Sequence, residues 1–311
     1  MGGANYNSDN VLIPDYNWIF NLGTEKSTEI HLSLYSLGNA GVTCFMFISG
    51  YYGVRLNLKK LINLVVMMLF YIVIIRFIAG VNIYKIIGSS LHPWDGWWFV
   101  RCYFFICILS PLINLGISYI SQRQFRVIVV LLLFYTYLGH FLALKSEMNS
   151  ELLITIFLVA RYFKLYPPAK LTKFSGHIVV ISTLLIVVTP IVLSNMYSTS
   201  LMTLFLNNNN IILLLFAASV VSVMEQHPLH FGIVNWLSAS TLSIYLITDN
   251  ELRGYLDPWL LERVLDSPVY GYTLIILLCL LCLLFEKIRL QAFKPLTRRL
   301  DNFIDNHVWN D

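Results

Sequence analysis

The strongest constraint on this chain is a series of nine long apolar stretches within its 311 residues. They lie near residues 32–54, 60–79, 97–118, 126–144, 151–167, 176–196, 209–226, 234–251 and 269–286. A helix of about 20 apolar residues crosses the hydrocarbon layer of a bilayer, which is ~30 Å thick. The pattern therefore predicts an all-α, polytopic membrane helix bundle, with about nine transmembrane helices in one domain over residues 1–311.

The composition argues against a soluble or nucleic-acid-binding protein. Charged residues make up 12% of the chain, against roughly 25% in soluble domains. The Lys and Arg residues behind the net charge of +4 lie in separate connectors rather than on one basic face. We therefore expect the lipid bilayer, and no nucleic acid, as a partner. The five cysteines lie in apolar stretches, and no histidine has zinc-ligand spacing, so we expect no metal site.

The basic residues predict an orientation, because Lys and Arg accumulate on the cytoplasmic side. With nine crossings, thirteen of them fall in connectors on one side and five on the other. This distribution predicts a protein of the inner (cytoplasmic) membrane, with residues 1–30 as an exterior leader and residues 287–311 as a cytoplasmic tail. Asn207 to Asn210 form a polar run in a loop on the exterior side, so a cysteine at Asn207 should react with an impermeant reagent.

Three arginines, Arg76, Arg101 and Arg161, lie inside predicted membrane helices. A charge there costs about 2.5–3.5 kcal/mol on insertion scales and marks a functional position by default. Each guanidinium could instead reach the interface or pair with a helix carbonyl. The functional alternative is that the planar guanidinium group binds a phosphate or a carboxylate.

The stretch 234–251 carries a set of polar side chains that would share one face of a continuous helix. The set consists of Ser238, Thr241, Tyr245, Thr248 and Asp249. Such a face must point into the bundle or a watery cavity, although hydrogen bonding between helices would explain the hydroxyls without any substrate. The first apolar stretch contains Gly38, Gly41, Gly50 and Gly53, which predict close approach of neighbouring backbones.

Several motifs, taken in order, resemble the membrane acyltransferase 3 family from about residue 30 onward. The first comprises Val42, Phe45 and Ile48-Ser49-Gly50-Tyr51, followed by Lys59-Lys60. The second is Trp97-Trp98-Phe99 with Tyr103, Ser110-Pro111 and Asn114, and the third is Ala160-Arg161-Tyr162. The last is Ser243-Ile244-Tyr245-Leu246-Ile247 with Asp249-Asn250.

The resemblance implies an O-acyltransferase that moves an acyl group, usually acetyl, from acyl-CoA to a hydroxyl of a surface glycan or its lipid-linked precursor. Acyl-CoA would be a co-substrate, with no bound cofactor. Arginines would hold the coenzyme A phosphates. Tyr103, Asn114 and Tyr245 would orient the sugar or the developing oxyanion, with Asp249 beside them.

The chain departs from the family pattern at the expected catalytic histidines. The family generally has ten helices, and we expect its first helix, which bears an Arg and a His, to be missing here. Thr248 stands where the family has a late histidine. A general base contributes about 10²–10⁴-fold to such reactions, so the 311-residue form could be inactive. Otherwise, His31 and His140 are the first candidates for the base. Two other classes stay open, a transporter or flippase for an anionic lipid-linked substrate and a non-catalytic subunit of a glycan assembly complex.

Overall fold

In the structure, a computed structural model, every regular element among the described residues is a helix. It describes residues 25–91, 97–138, 150–195, 205–228, 231–238, 240–250 and 267–307, together with 256, 259–260 and 262–264. The helices are α1 (Glu25–Tyr52), α2 (Leu58–Ile78), α3 (Ile83–Ser90), α4 (Trp98–Tyr119), α5 (Gln122–Leu133), α6 (Ser150–Leu165), α7 (Ala169–Asn195), α8 (Ile211–Gln226), α9 (Gly232–Ser238), α10 (Thr241–Thr248) and α11 (Pro268–His307). A π-helical turn, Phe134–Leu138, continues α5.

Each of the nine predicted apolar stretches contains helix, as an all-α membrane protein requires. The four helices long and apolar enough to cross a bilayer among the described residues are Leu58–Ile78, Trp98–Tyr119, Ala169–Leu193 and Val269–Asn306. Helices are the natural choice in lipid, because each backbone N–H and C=O group is then satisfied within the segment itself.

The chain divides into two compact units, and the division falls within α4. Unit 1 comprises residues 1–55 and 108–229. In it, α1 packs against α6, α7 and α8, while α7 and α8 pack on each other and α5 packs on α6. Ala40, Ile186 and Leu213 form a small apolar cluster where α1, α7 and α8 meet. The helix α1 is therefore the central element of unit 1.

Unit 2 comprises residues 56–107 and 230–311. Its helix α2 packs against α3, α10 and α11, and α10 also packs against α11. The Asn57 side chain caps the start of α2 by accepting a hydrogen bond from Lys60 N at 3.1 Å. Gly80 follows the end of α2 with a φ of +68°, a backbone conformation that favours glycine.

The structure corrects two predicted boundaries. The single helix predicted over 234–251 is instead two short helices, α9 and α10, with Ser240 in a turn before α10. The helix predicted over 269–286 does not end there, because α11 continues to His307 through most of the predicted cytoplasmic tail.

A third correction concerns the asparagine run before α8. All four residues, Asn207 to Asn210, are buried in unit 1 rather than exposed in a loop. The expectation that a cysteine at Asn207 is accessible is therefore wrong.

Candidate functional site

In unit 1, Gly50 brings the backbones of α1 and α6 into direct contact. A Cβ atom built on Gly50 would lie 2.8 Å from Phe157 Cα and would overlap the rest of that residue's backbone. The close approach predicted for the first apolar stretch is therefore confirmed at Gly50. It is wrong at Gly38 and Gly41, where no described atom lies within 4 Å of an added Cβ.

Directly after the end of α1, Gly53 makes room for the side chain of Arg161 from α6. Gly53 has a φ of +75°, and a Cβ built on it would lie 3.0 Å from Arg161 Nη1. Arg161 Nε is buried and has no hydrogen-bond partner among the described residues. The guanidinium is thus placed by packing, with donor capacity left over for a bound group.

A second basic side chain, Lys164, lies one turn further along α6 against the end of α1. Its Nζ lies 4.5 Å from the ring centroid of Tyr51 and 5.5 Å from that of Tyr52. It also pairs with Glu225 Oε1 at 3.3 Å, and the Tyr52 hydroxyl donates to the same oxygen at 2.8 Å. Tyr51, the last residue of the Ser49-Gly50-Tyr51 motif, therefore provides an aromatic face for a cation.

A cavity of about 190 Å³ lies beside this cluster in unit 1. Its walls include Phe47, Tyr51 and Phe163, and Ser222 and Glu225 supply polar atoms. Small-molecule sites typically combine apolar and aromatic walls with a few polar groups. The cavity, Arg161 and Lys164 together make this end of unit 1 the candidate site.

Asn114, on the part of α4 that belongs to unit 1, fixes the connector that contains Gly53. Its Nδ2 donates to Val54 O at 3.1 Å, while its buried Oδ1 has no partner among the described residues. Ser49 has a local role, since its hydroxyl donates to Phe45 O at 2.9 Å within α1. Of the predicted residues, unit 1 thus gathers Gly50, Tyr51, Asn114 and Arg161.

The predicted aromatic residues Trp98, Tyr103 and Tyr245, together with Asp249, lie in unit 2. The Phe99 ring contacts Tyr103 in a stacked arrangement at 6.4 Å and Tyr245 edge-on at 6.0 Å. The Trp98 ring lies 5.9 Å from the same phenylalanine. Asp249 caps the end of α10, where its N–H donates to Tyr245 O at 2.8 Å. These contacts form an aromatic cluster. The half-buried carboxylate of Asp249 lies close to Tyr245 in the sequence.

The remaining two arginines, Arg76 and Arg101, also belong to unit 2. Arg76 is half-buried in the last turn of α2, and Arg101 is exposed in the first turn of α4. Neither lies in unit 1 with Arg161. The three arginines that the sequence placed in one class therefore belong to two different units.

The predicted polar face over 234–251 is wrong as a single feature, because the helix is interrupted before Thr241. Three of its hydroxyls donate to carbonyls within three or four residues of their own position. They belong to Ser238, Thr241 and Thr248. These bonds are local along the chain rather than between helices as expected, and they too need no substrate.

The sequence prediction missed a buried charged network in unit 2. Arg289 Nε and Nη2 donate to the two carboxylate oxygens of Glu286, each at 2.7 Å, and the Tyr71 hydroxyl donates to Glu286 Oε2 at 2.8 Å. The sequence prediction had placed Arg289 in the tail. The available signal was the i, i+3 spacing of an acid and a base directly after an apolar stretch.

The two candidate bases cannot be placed in this geometry. His31 lies in α1, but its side chain is outside the described residues, as is the whole of His140.

Comparisons with known proteins identify the family. A search of curated proteins and a search of solved structures each gave no match. A family model described as an acyltransferase domain, that of acyltransferase 3, matches residues 4–287. The match begins earlier than the resemblance suggested and ends just after Glu286. It includes Gly50, Arg161 and Tyr245, and since it covers most of the chain, this protein belongs to the acyltransferase 3 family.

Proposed function

We propose that this protein is a membrane O-acyltransferase that moves an acyl group, acetyl in the simplest case, from acyl-CoA to a hydroxyl of a cell-surface polysaccharide or its lipid-linked precursor. The observation that carries the proposal is the Arg161 guanidinium, held against Gly53 with a buried Nε that has no partner among the described residues. A phosphate would satisfy such a group by charge and by hydrogen bonding.

The surroundings of Arg161 fit the donor better than the acceptor. Lys164 adds a second cation one turn away, and the cavity walled by Phe47, Tyr51 and Phe163 offers apolar surface to the rest of the molecule. Acyl-CoA carries phosphates, a flat base and a flexible arm. We assign the phosphates to Arg161 and Lys164, and an apolar part of the donor to the cavity.

The reaction transfers one acyl group and moves one proton. The acceptor oxygen attacks the thioester carbonyl, its C–O bond forms, and the C–S bond breaks to release coenzyme A as the thiol. A base takes the hydroxyl proton during the attack, and the thiolate receives a proton in return. His31 and His140 are the residues we propose to replace first in a search for that base.

The donor assignment predicts that Arg161→Ala weakens acetyl-CoA binding by about tenfold or more, the loss expected for one charge-assisted contact. Arg161→Lys should recover only part of it, because an ammonium does not reproduce the planar fork. Isothermal titration of the purified full chain with acetyl-CoA measures both. Arg76→Ala, which changes an arginine of unit 2, is the matched control and should bind as wild type does.

A second ligand tests whether Arg161 acts on the phosphates. S-acetylpantetheine contains the thioester and the arm but not the nucleotide phosphates, so wild type and Arg161→Ala should bind it equally. Equal binding of acetyl-CoA by the two proteins would remove the assignment of Arg161. A loss that is the same for both ligands would point to a folding defect instead.

We also propose that the C-terminus and the Arg161 end of unit 1 face the cytoplasm, as the distribution of basic residues predicts. Arg123 and Lys170 are exposed in the first turns of α5 and α7, and Tyr84 is exposed on α3. In a background with the five native cysteines replaced by alanine, Tyr84→Cys should react with an impermeant maleimide in intact cells. Arg123→Cys and Lys170→Cys should react only after permeabilisation. The reverse pattern would invert the orientation.

A further inference from the structure

The run Asn207 to Asn210, just before α8, contains a buried amide, that of Asn208, for which the described residues provide no hydrogen-bond partner. Asn208 is 2% exposed, and neither its Oδ1 nor its Nδ2 has a hydrogen-bond partner among the described residues. A carboxamide has two N–H donors and a carbonyl oxygen with two lone pairs. Leaving all of them unsatisfied away from water is costly, and each such group in a native protein calls for an explanation.

The neighbours of Asn208 fix the segment without using this amide. Asn210 caps α8 by accepting from Ile212 N at 2.9 Å, and its Nδ2 donates to Phe205 O at 3.1 Å. From α1, Asn39 Nδ2 donates to Leu206 O. The backbone around Asn208 is therefore held on two sides, which gives the free amide a defined position.

The chemistry of this cluster favours a neutral ligand with hydroxyl groups. The side chains of Asn39 and of Asn207 to Asn210 are all buried and uncharged. An amide can donate to one hydroxyl and accept from the next, so adjacent hydroxyls of a sugar ring match it well. A phosphate or a carboxylate would instead call for a basic side chain.

We infer that the buried amide cluster, Asn39 with Asn207 to Asn210, binds hydroxyls of the sugar that accepts the acyl group. The inference rests on the proposed function for the identity of the ligand as an acceptor. Its position agrees with that role, because Asn39 precedes Tyr52 on α1 by 13 residues, about 20 Å at ~1.5 Å per residue. The donor phosphates and the acceptor would then lie at separate levels of α1, and the extended arm of acyl-CoA would span the interval.

Binding of simple glycosides to the full chain in lipid nanodiscs tests the inference. Saturation-transfer NMR with methyl α-glucoside, methyl α-mannoside and methyl N-acetyl-β-glucosaminide should detect at least one of them with wild-type protein. Asn208→Leu should lower that affinity about tenfold, the effect of losing a hydrogen-bonded pair. The same variant should unfold at a higher temperature than wild type without ligand, because it no longer buries an unsatisfied amide.

Two controls separate this result from a folding defect and from the donor site. Asn63→Leu replaces a half-buried asparagine of unit 2 and should leave glycoside binding unchanged. If Asn208→Leu does not fold, Asn208→Ala removes the same groups without adding bulk, and it should show the same loss. Arg161→Ala should keep glycoside binding, so failure of the donor assignment would leave this inference standing. The inference would be overturned if none of the three glycosides received saturation from wild-type protein. It would also be overturned if the wild type and the Asn208 variants bound the glycosides equally.

Discussion

Replacing Glu286 with alanine is expected to destabilise the protein by about 3–5 kcal/mol, because it leaves the Arg289 charge buried without its partner. Glu286 is 3% exposed and Arg289 8% exposed, so water cannot replace the lost carboxylate. The Tyr71 hydroxyl also loses its acceptor. The free energy of unfolding from an SDS titration of the purified protein measures the effect.

The same titration distinguishes the removal of one charged partner from the removal of the whole ion pair. Removing both charges, by Glu286→Met with Arg289→Met, should cost much less than Glu286→Ala, since apolar residues of similar size often replace a buried ion pair at little cost. Lys59→Ala breaks the more exposed pair with Asp305, also in unit 2. That control should change stability by less than about 1 kcal/mol. Equal effects of Glu286→Ala and Lys59→Ala would show that the buried network contributes little.

The helical architecture could be predicted because lipid as a solvent leaves few choices. A stretch such as 60–79 carries its charges, Lys60 and Arg76, near its ends, and in a bilayer its backbone must form helix to satisfy its own polar groups. The prediction of α2 at Leu58–Ile78 is confirmed to within two residues at each end. The break before Thr241 could not be predicted, because no Gly or Pro lies between Trp236 and Thr241 to signal it.

The geometry of the candidate site could be predicted where a residue type has one dominant physical use. Glycine predicts close backbone approach, which is confirmed at Gly50, and an arginine within an apolar helix indicates a functional position, which led to Arg161. The glycine rule was wrong at Gly38 and Gly41, and the functional roles expected of Arg161 and Arg101 stay predictions. Which face of a helix meets a neighbour depends on tertiary packing, and composition alone does not specify it.

Two buried polar groups were missed for a related reason. Hydropathy treats each residue by itself, so it predicted that the loop Asn207 to Asn210 is exposed and that the last helix ends at Glu286. In the structure, Asn210 satisfies the first N–H groups of α8, and Glu286 is neutralised by Arg289 one turn later. Polar residues such as Asn210 and Glu286 are tolerated in a membrane protein because they have partners, and those partners are visible only in the structure.

Gly50→Ala is expected to destabilise unit 1 by about 1–3 kcal/mol or more, the usual cost of overpacking a tight contact. The added methyl would meet the backbone of Phe157, and a backbone cannot move aside as a flexible side chain can. α6 would have to shift away from α1, which would also displace Arg161 from Gly53, so acetyl-CoA binding should weaken as it does in Arg161→Ala.

Gly38→Ala and Gly41→Ala lie on the same helix with open space around them. They should instead stabilise it by about 0.5–1 kcal/mol each, because alanine loses less backbone freedom in a helix than glycine does. If the contact is as described, thermal unfolding should show Gly50→Ala to be less stable than wild type and the other two variants to be more stable. Titration with acetyl-CoA measures the expected loss of binding in Gly50→Ala. A Gly50→Ala protein as stable as the Gly38→Ala protein would show that α1 and α6 do not meet at Gly50.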